Sequence, residues 1–109
     1  AYWYLQQAIR INPNNIELWK QWADLLYENE NLAGAITFLE EGIKVNTLTA
    51  ELYYLCAGYM FEANKINRAL VMLENALLLD KKGWEVFNTQ FPHFAALQAV
   101  QKLFHYYSK

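Results

Sequence analysis

The sequence holds one cysteine, two prolines and four glycines in 109 residues. A single cysteine cannot close an internal disulfide, which excludes a disulfide-stapled scaffold. Scarce glycine and proline argue against a many-turned all-β fold and for long uninterrupted helices. Basic residues do not dominate: 9 Lys and Arg stand against 11 Asp and Glu, a net charge of −2. The electrostatic footprint of a protein that grips nucleic acid or an anionic membrane is therefore missing. No apolar run approaches the roughly 20 residues needed to cross a bilayer. What is abundant is apolar (55%) and aromatic (17%) content, enough to build a core and exclude disorder. The chain opens Ala1-Tyr2-Trp3-Tyr4, with no Met, no basic segment and no cap ahead of a helical pattern. That start reads as a cut through a longer protein.

Laying the segment 16–49 over the segment 50–83 exposes an internal repeat. The two segments share seven identities: Glu17/Glu51, Leu18/Leu52, Ala23/Ala57, Glu28/Glu62, Ala35/Ala69, Leu39/Leu73 and Glu40/Glu74. Trp19/Tyr53, Leu26/Met60, Tyr27/Phe61, Leu32/Ile66 and Ile43/Leu77 are conservative pairs. A further shift by the same length sets Ala1, Leu5, Ala8, Ile9 and Asn12 on Ala35, Leu39, Gly42, Ile43 and Asn46. Each unit reads as two helices. Apolar residues at 18, 19, 22, 25 and 26 follow the helical period, and Leu32, Ala35, Ile36, Leu39, Gly42 and Ile43 resume it after a polar break at 28–31. Residues 63–65 are the second inner turn, and residues 12–15, 46–49 and 80–83 are the outer turns, the first stopped by Pro13. The alanines and Gly42 suit close helix crossings.

These units resemble tetratricopeptide repeats. Trp19, Trp22, Ala23 and Leu26 fill the family's first-helix pattern, and Ala35, Leu39 and Gly42 its second. Tyr53, Cys56, Ala57, Met60, Ala69, Leu73 and Ala76 do so in the next unit, while Ala1, Leu5, Ala8 and Pro13 match the end of a preceding one. Ala23 and Ala57 replace the family's usual Gly, and Thr47 and Lys81 its Pro. The resemblance covers residues 1–83 and implies an all-α fold, a right-handed superhelical array of antiparallel helix pairs. The expected parts are residues 1–15 as a second helix and closing turn, 16–49 and 50–83 as full units, and 84–109 as a degenerate unit with a capping helix. The end segment is similar to degenerate end units of some bacterial members. Its apolar stripe from His93 onward (Phe94, Leu97, Val100, Phe104, Tyr107) with one polar face suits a cap. The first helix has no partner ahead of it, so Ala1, Leu5 and Ala8 are expected to present an apolar stripe, and self-association through residues 1–12 is expected.

Chemistry-bearing constellations are few. His93 and His105 lie twelve apart without companion ligands, which is too sparse for a zinc site. Cys56 sits on the apolar face in the column of Trp22 and reads as a buried structural thiol, because a reactive cysteine needs an electropositive, open setting. No phosphate-cradling glycine loop or nucleophile elbow occurs. Glu40-Glu41 and Lys81-Lys82 read as solvated charge pairs. No enzyme, cofactor or metal is indicated.

The resemblance implies a concave surface lined by first helices. Its candidate peptide-binding residues are Glu17, Lys20, Gln21, Asp24, Tyr27 and Glu28, then Glu51, Tyr54, Leu55, Gly58, Phe61 and Glu62, with Glu85 and Asn88 on the cap. Six of the chain's 11 acidic residues fall in this set against one lysine. An acidic groove with aromatic anchors suits a basic peptide, held by cation–π contacts of roughly 0.5–2 kcal/mol each. The plainer reading is that the acids solvate a helix face and the aromatics pack on neighbours. The family's clamp for a peptide's terminal carboxylate is disfavoured, because only Lys20 fits it and Asp24 and Leu55 stand where further donors belong. Repeats that read RNA base by base need basic character, which is absent. The expected function is a non-catalytic protein-interaction or scaffold module with a protein or peptide partner, and no nucleic acid or membrane. The alternative is a regulatory or accessory domain whose repeats dock on a parent enzyme or sensor.

Overall fold

The computed structural model describes residues 2–108, and every regular element among them is helical. The helices are α1 (Tyr2–Ile11), α2 (Ile16–Glu28), α3 (Leu32–Val45), α4 (Ala50–Glu62), α5 (Ile66–Leu79), α6 (Trp84–Gln90), α7 (Pro92–Ala95) and α8 (Gln98–Tyr107). A short 3-10 turn, Lys81–Gly83, joins α5 to α6. No helix of the described residues is long and apolar enough to cross a membrane. The boundaries of α4 and α5 are those of α2 and α3 displaced by one repeat length; α1 ends and α6 begins on the same spacing. The chain divides into two compact units, Ala1–Leu48 and Thr49–Lys109.

The inner turns show why the helices stop where they do. Glu30 and Asn64 have φ of 60° and 62°, the left-handed conformation that ends a helix in a Schellman motif. Around Glu30 the two hydrogen bonds of that motif run from Asn31 N to Leu26 O (2.8 Å) and from Glu30 N to Tyr27 O (3.1 Å). Around Asn64 they run from Lys65 N to Met60 O (2.9 Å) and from Asn64 N to Phe61 O (3.0 Å). Asn31 then caps α3, its side chain accepting from Gly34 N at 3.0 Å. A non-glycine residue at positive φ costs roughly 1–2 kcal/mol, less for Asn, whose short polar side chain tolerates it. Glu30→Gly should therefore raise stability by up to about 1 kcal/mol, and Asn64→Gly by clearly less, in urea unfolding followed by circular dichroism. Equal or inverted effects would count against this account of the turns.

In unit 1, α2 and α3 form a helical hairpin whose crossing is set by Gly42. A Cβ there would stand 2.8 Å from the Trp19 ring, so the absence of a side chain lets the indole lie on α3. Trp19 and Trp22 both pack on Phe38, with ring centroids 4.7 and 4.6 Å apart. The Pro13 carbonyl accepts from Trp19 Nε1 (2.7 Å) and from Asn46 Nδ2 (3.0 Å), which ties the α1–α2 turn to the end of α3. Leu5 is buried at 4% exposure, and the large apolar α1 residues open to solvent are Trp3, Tyr4 and Ile11. The expected stripe is thus corrected: Leu5 faces the core, Ala8 is half-buried, and Ala1 lies outside the described residues. Leu5 shares its column with Leu39 and Leu73, both fully buried, so the repeat register carried this information.

In unit 2, α4 is the central element. It carries no charge between Glu51 and Glu62, and residues 54–61 are all buried. With no charged side chain in its middle, it has no strongly hydrated face to turn to solvent. α5 packs against it through Ala69, Leu73, Ala76 and Leu77. After Gly83 the expected start of a degenerate unit at Trp84 is α6, and the segment from His93 onward, expected as one capping helix, is divided between α7 and α8. The break is at Leu97, in extended backbone (φ −62°, ψ 140°). Gln101 Nε2 donates to the Ala95 carbonyl at 2.7 Å, satisfying an acceptor at the end of α7. The break directs Phe94 onto α4, while α8 lies along α5. Its Phe104 stacks on Trp84 (4.3 Å between centroids), and the Tyr107 hydroxyl donates to Glu74 at 2.5 Å.

Candidate interaction surface

α2 starts after Asn15 in extended backbone, and its polar residues 17, 21, 24 and 28 recur at helical spacing along one side. Glu17, Asp24 and Glu28 are exposed. Lys20 pairs with Glu17 at 3.4 Å, an exposed contact worth about 0–1 kcal/mol. Tyr27 is 40% exposed. Asp24 and Glu28 come together with Gln21, Leu25, Tyr4 and Leu5 around a cleft of about 370 Å³ between α1 and α2. The lining combines apolar Leu5 and Leu25 and the Tyr4 ring with two carboxylates. Glu17, Lys20 and Tyr27 do not line the cleft. The sequence reading missed the contribution of α1, although the repeat register had already placed Leu5 on the core side.

Unit 2 arranges its candidates differently. Glu51 and Glu62 are exposed at the two ends of α4. Tyr54, Gly58 and Phe61 are covered, which corrects their assignment to an open groove. The Tyr54 hydroxyl donates to the Asp80 carbonyl at 2.7 Å. Burial, with the negative charge of Asp80 adding to it, holds this phenol well above the usual tyrosine pKa. Phe91 lies on Gly58, where an added Cβ would stand 2.2 Å from the ring. Phe61 stacks on Phe94 (5.5 Å, 15° between planes) and packs near Phe87. The physical reason is a match of two stripes. Phe87 on α6, Phe91 in the turn after it and Phe94 on α7 meet Tyr54, Gly58 and Phe61, which recur at helical spacing along α4. Leu55 is also buried, while Glu85 and Asn88 stand exposed on α6.

No family model, no curated protein and no solved structure matches the chain.

Charge separates the units further. Residues 1–48 hold three basic and six acidic side chains, and residues 49–109 hold six and five. The negative excess therefore belongs to the unit that keeps its α2 carboxylates in solvent. Cys56 is fully buried, a setting that withholds its thiol from solution chemistry. Among the described residues, no three His, Cys, Asp or Glu side chains gather as a metal-ligand set.

Proposed function

We propose that the chain is a non-catalytic protein-interaction module, made of helix-hairpin repeats of tetratricopeptide type, whose unit 1 binds a basic peptide along α2. The recurrence of helix boundaries from α2 and α3 to α4 and α5 supports the repeat reading. The α1–α2 cleft carries the binding reading. It sets apolar side chains beside Asp24 and Glu28, in the more acidic half of the chain. Each exposed charge pair formed there contributes about 0.2–1 kcal/mol, so the carboxylates select the partner's sign while apolar burial at about 25 cal/mol per Å² supplies most of the affinity. A fitting ligand is a short helix with a leucine-sized knob flanked by arginine or lysine.

Fluorescence anisotropy with a labelled helical peptide bearing Leu and two Arg tests this. The peptide should bind, its affinity should fall with added salt, and Asp24→Lys with Glu28→Lys should weaken it at least about tenfold. Both residues are exposed, so the fold should be retained in circular dichroism. Equal binding of the same peptide with Glu in place of Arg, or indifference to the charge reversal, would overturn the reading.

A further inference from the structure

Apart from Tyr4, the outer face of α1 lies outside this reading. Trp3, Tyr4 and Ile11 are 72%, 66% and 83% exposed, and Arg10 is exposed beside them. Monomeric proteins rarely leave contiguous apolar patches above a few hundred Å², and two largely open rings of about 150–250 Å² each approach that limit on a ten-residue helix. The patch also has an internal symmetry. Trp3 and Arg10 are seven positions apart and share one line along the helix; Tyr4 and Ile11, also seven apart, share the adjacent line. Gln7, half-buried, lies midway between the two lines and at their centre.

We infer that this face pairs with the same face of a second copy, as an antiparallel α1–α1 contact about a two-fold axis at Gln7. Turning one helix end over end about that point sets Arg10 of each copy over Trp3 of the other, a cation–π contact. It also sets Ile11 of each copy against Tyr4 of the other. Each contact occurs twice, as an isologous interface requires. A parallel arrangement about a two-fold axis would lay the Trp3–Arg10 line over the Tyr4–Ile11 line of the other copy, arginine against isoleucine, and would lose the cation–π contact. The occupant is a second copy because one short helix supplies both members of each pair. Such an interface is smaller than the roughly 800 Å² per partner of a stable complex, so association is weak and concentration-dependent.

Tyr4 borders both surfaces, but Trp3, Gln7 and Arg10 do not line the α1–α2 cleft, so variants at these three positions test dimerisation with the cleft lining intact. Sedimentation velocity over a concentration series up to millimolar should show a monomer–dimer equilibrium. Arg10→Glu and Trp3→Ala, both at exposed positions, should each raise the dissociation constant at least about tenfold with unchanged circular dichroism. Gln7→Cys should cross-link into disulfide dimers under mild oxidation, because the axis brings the two copies of residue 7 together. Trp3→Cys should not, because its two copies stand about two helical turns apart, beyond the ~7 Å Cα limit of a disulfide. A chain that stays monomeric, including one that seats a helix of a different protein on this face, overturns the proposal. So does a dimer indifferent to Arg10→Glu, or one in which Trp3→Cys cross-links as readily as Gln7→Cys.

Discussion

Phe87→Ala should destabilise the fold by about 3–5 kcal/mol, the range for removing a buried aromatic side chain. Phe87 is 1% exposed, and its ring packs on Tyr54 (6.2 Å), Phe61 (6.4 Å), Trp84 (5.6 Å) and Phe91 (5.5 Å). Those rings come from α4, from the start of α6 and from the turn into α7, so no single neighbour can move to fill the space. Domains are stable by only about 5–15 kcal/mol, so this one change removes a large share. Chemical denaturation of Phe87→Ala beside Val86→Ala, at a position 65% exposed on the same helix, provides the comparison. A loss below about 1 kcal/mol at Phe87 would mean that α6 does not dock on α4 as described.

Gly58→Ala sets two known effects against each other. Alanine is favoured over glycine inside a helix by about 1 kcal/mol, which alone would make the variant more stable. Against that, the new Cβ would lie 2.2 to 2.5 Å from three carbons of the Phe91 ring. Phe91 is itself held, edge-on against Tyr59 at 5.9 Å and beside Phe87, so the ring cannot swing aside without disturbing α7. Overpacking of this kind costs about 1–3 kcal/mol, and the net sign should be destabilising. Phe91→Leu should restore part of the loss in the double variant, because residues in contact are not additive. A more stable Gly58→Ala chain would show that Phe91 does not occupy this site.

How much of this was legible in the sequence follows from the range of each signal. The helix bounds were legible because they are local. The helical period runs through 16–28 and 32–45, and the next copy of the repeat carries the same period and the same polar turns. The buried alanines and Gly42 were legible for the same reason, since a repeated small residue marks a close crossing. The covering of Tyr54, Gly58 and Phe61 was not legible. An aromatic on a first helix has the same pattern whether it awaits a ligand or another part of its own chain, and only the docking of α6 and α7 decides. The aromatic spacing 84, 87, 91, 94 was present to be read, but it names a stripe without naming its partner. The break at Leu97 has no local breaker and follows from where Phe94 and Val100 must pack. On the binding side, the exposure of Glu17, Asp24 and Glu28 was legible from charge and register. The share of Tyr4 and Leu5 in the cleft needed the third, shortest copy of the repeat to be weighed as fully as the other two.

The most direct test of the central claim is an amide chemical-shift titration of the chain with the Leu- and Arg-bearing helical peptide. Perturbations should concentrate at Tyr4, Leu5, Gln21, Asp24, Leu25 and Glu28, with Tyr54, Gly58 and Phe61 unmoved. Perturbations centred on Tyr54, Gly58 and Phe61, or an equal response to the peptide with Glu in place of Arg, would contradict that claim.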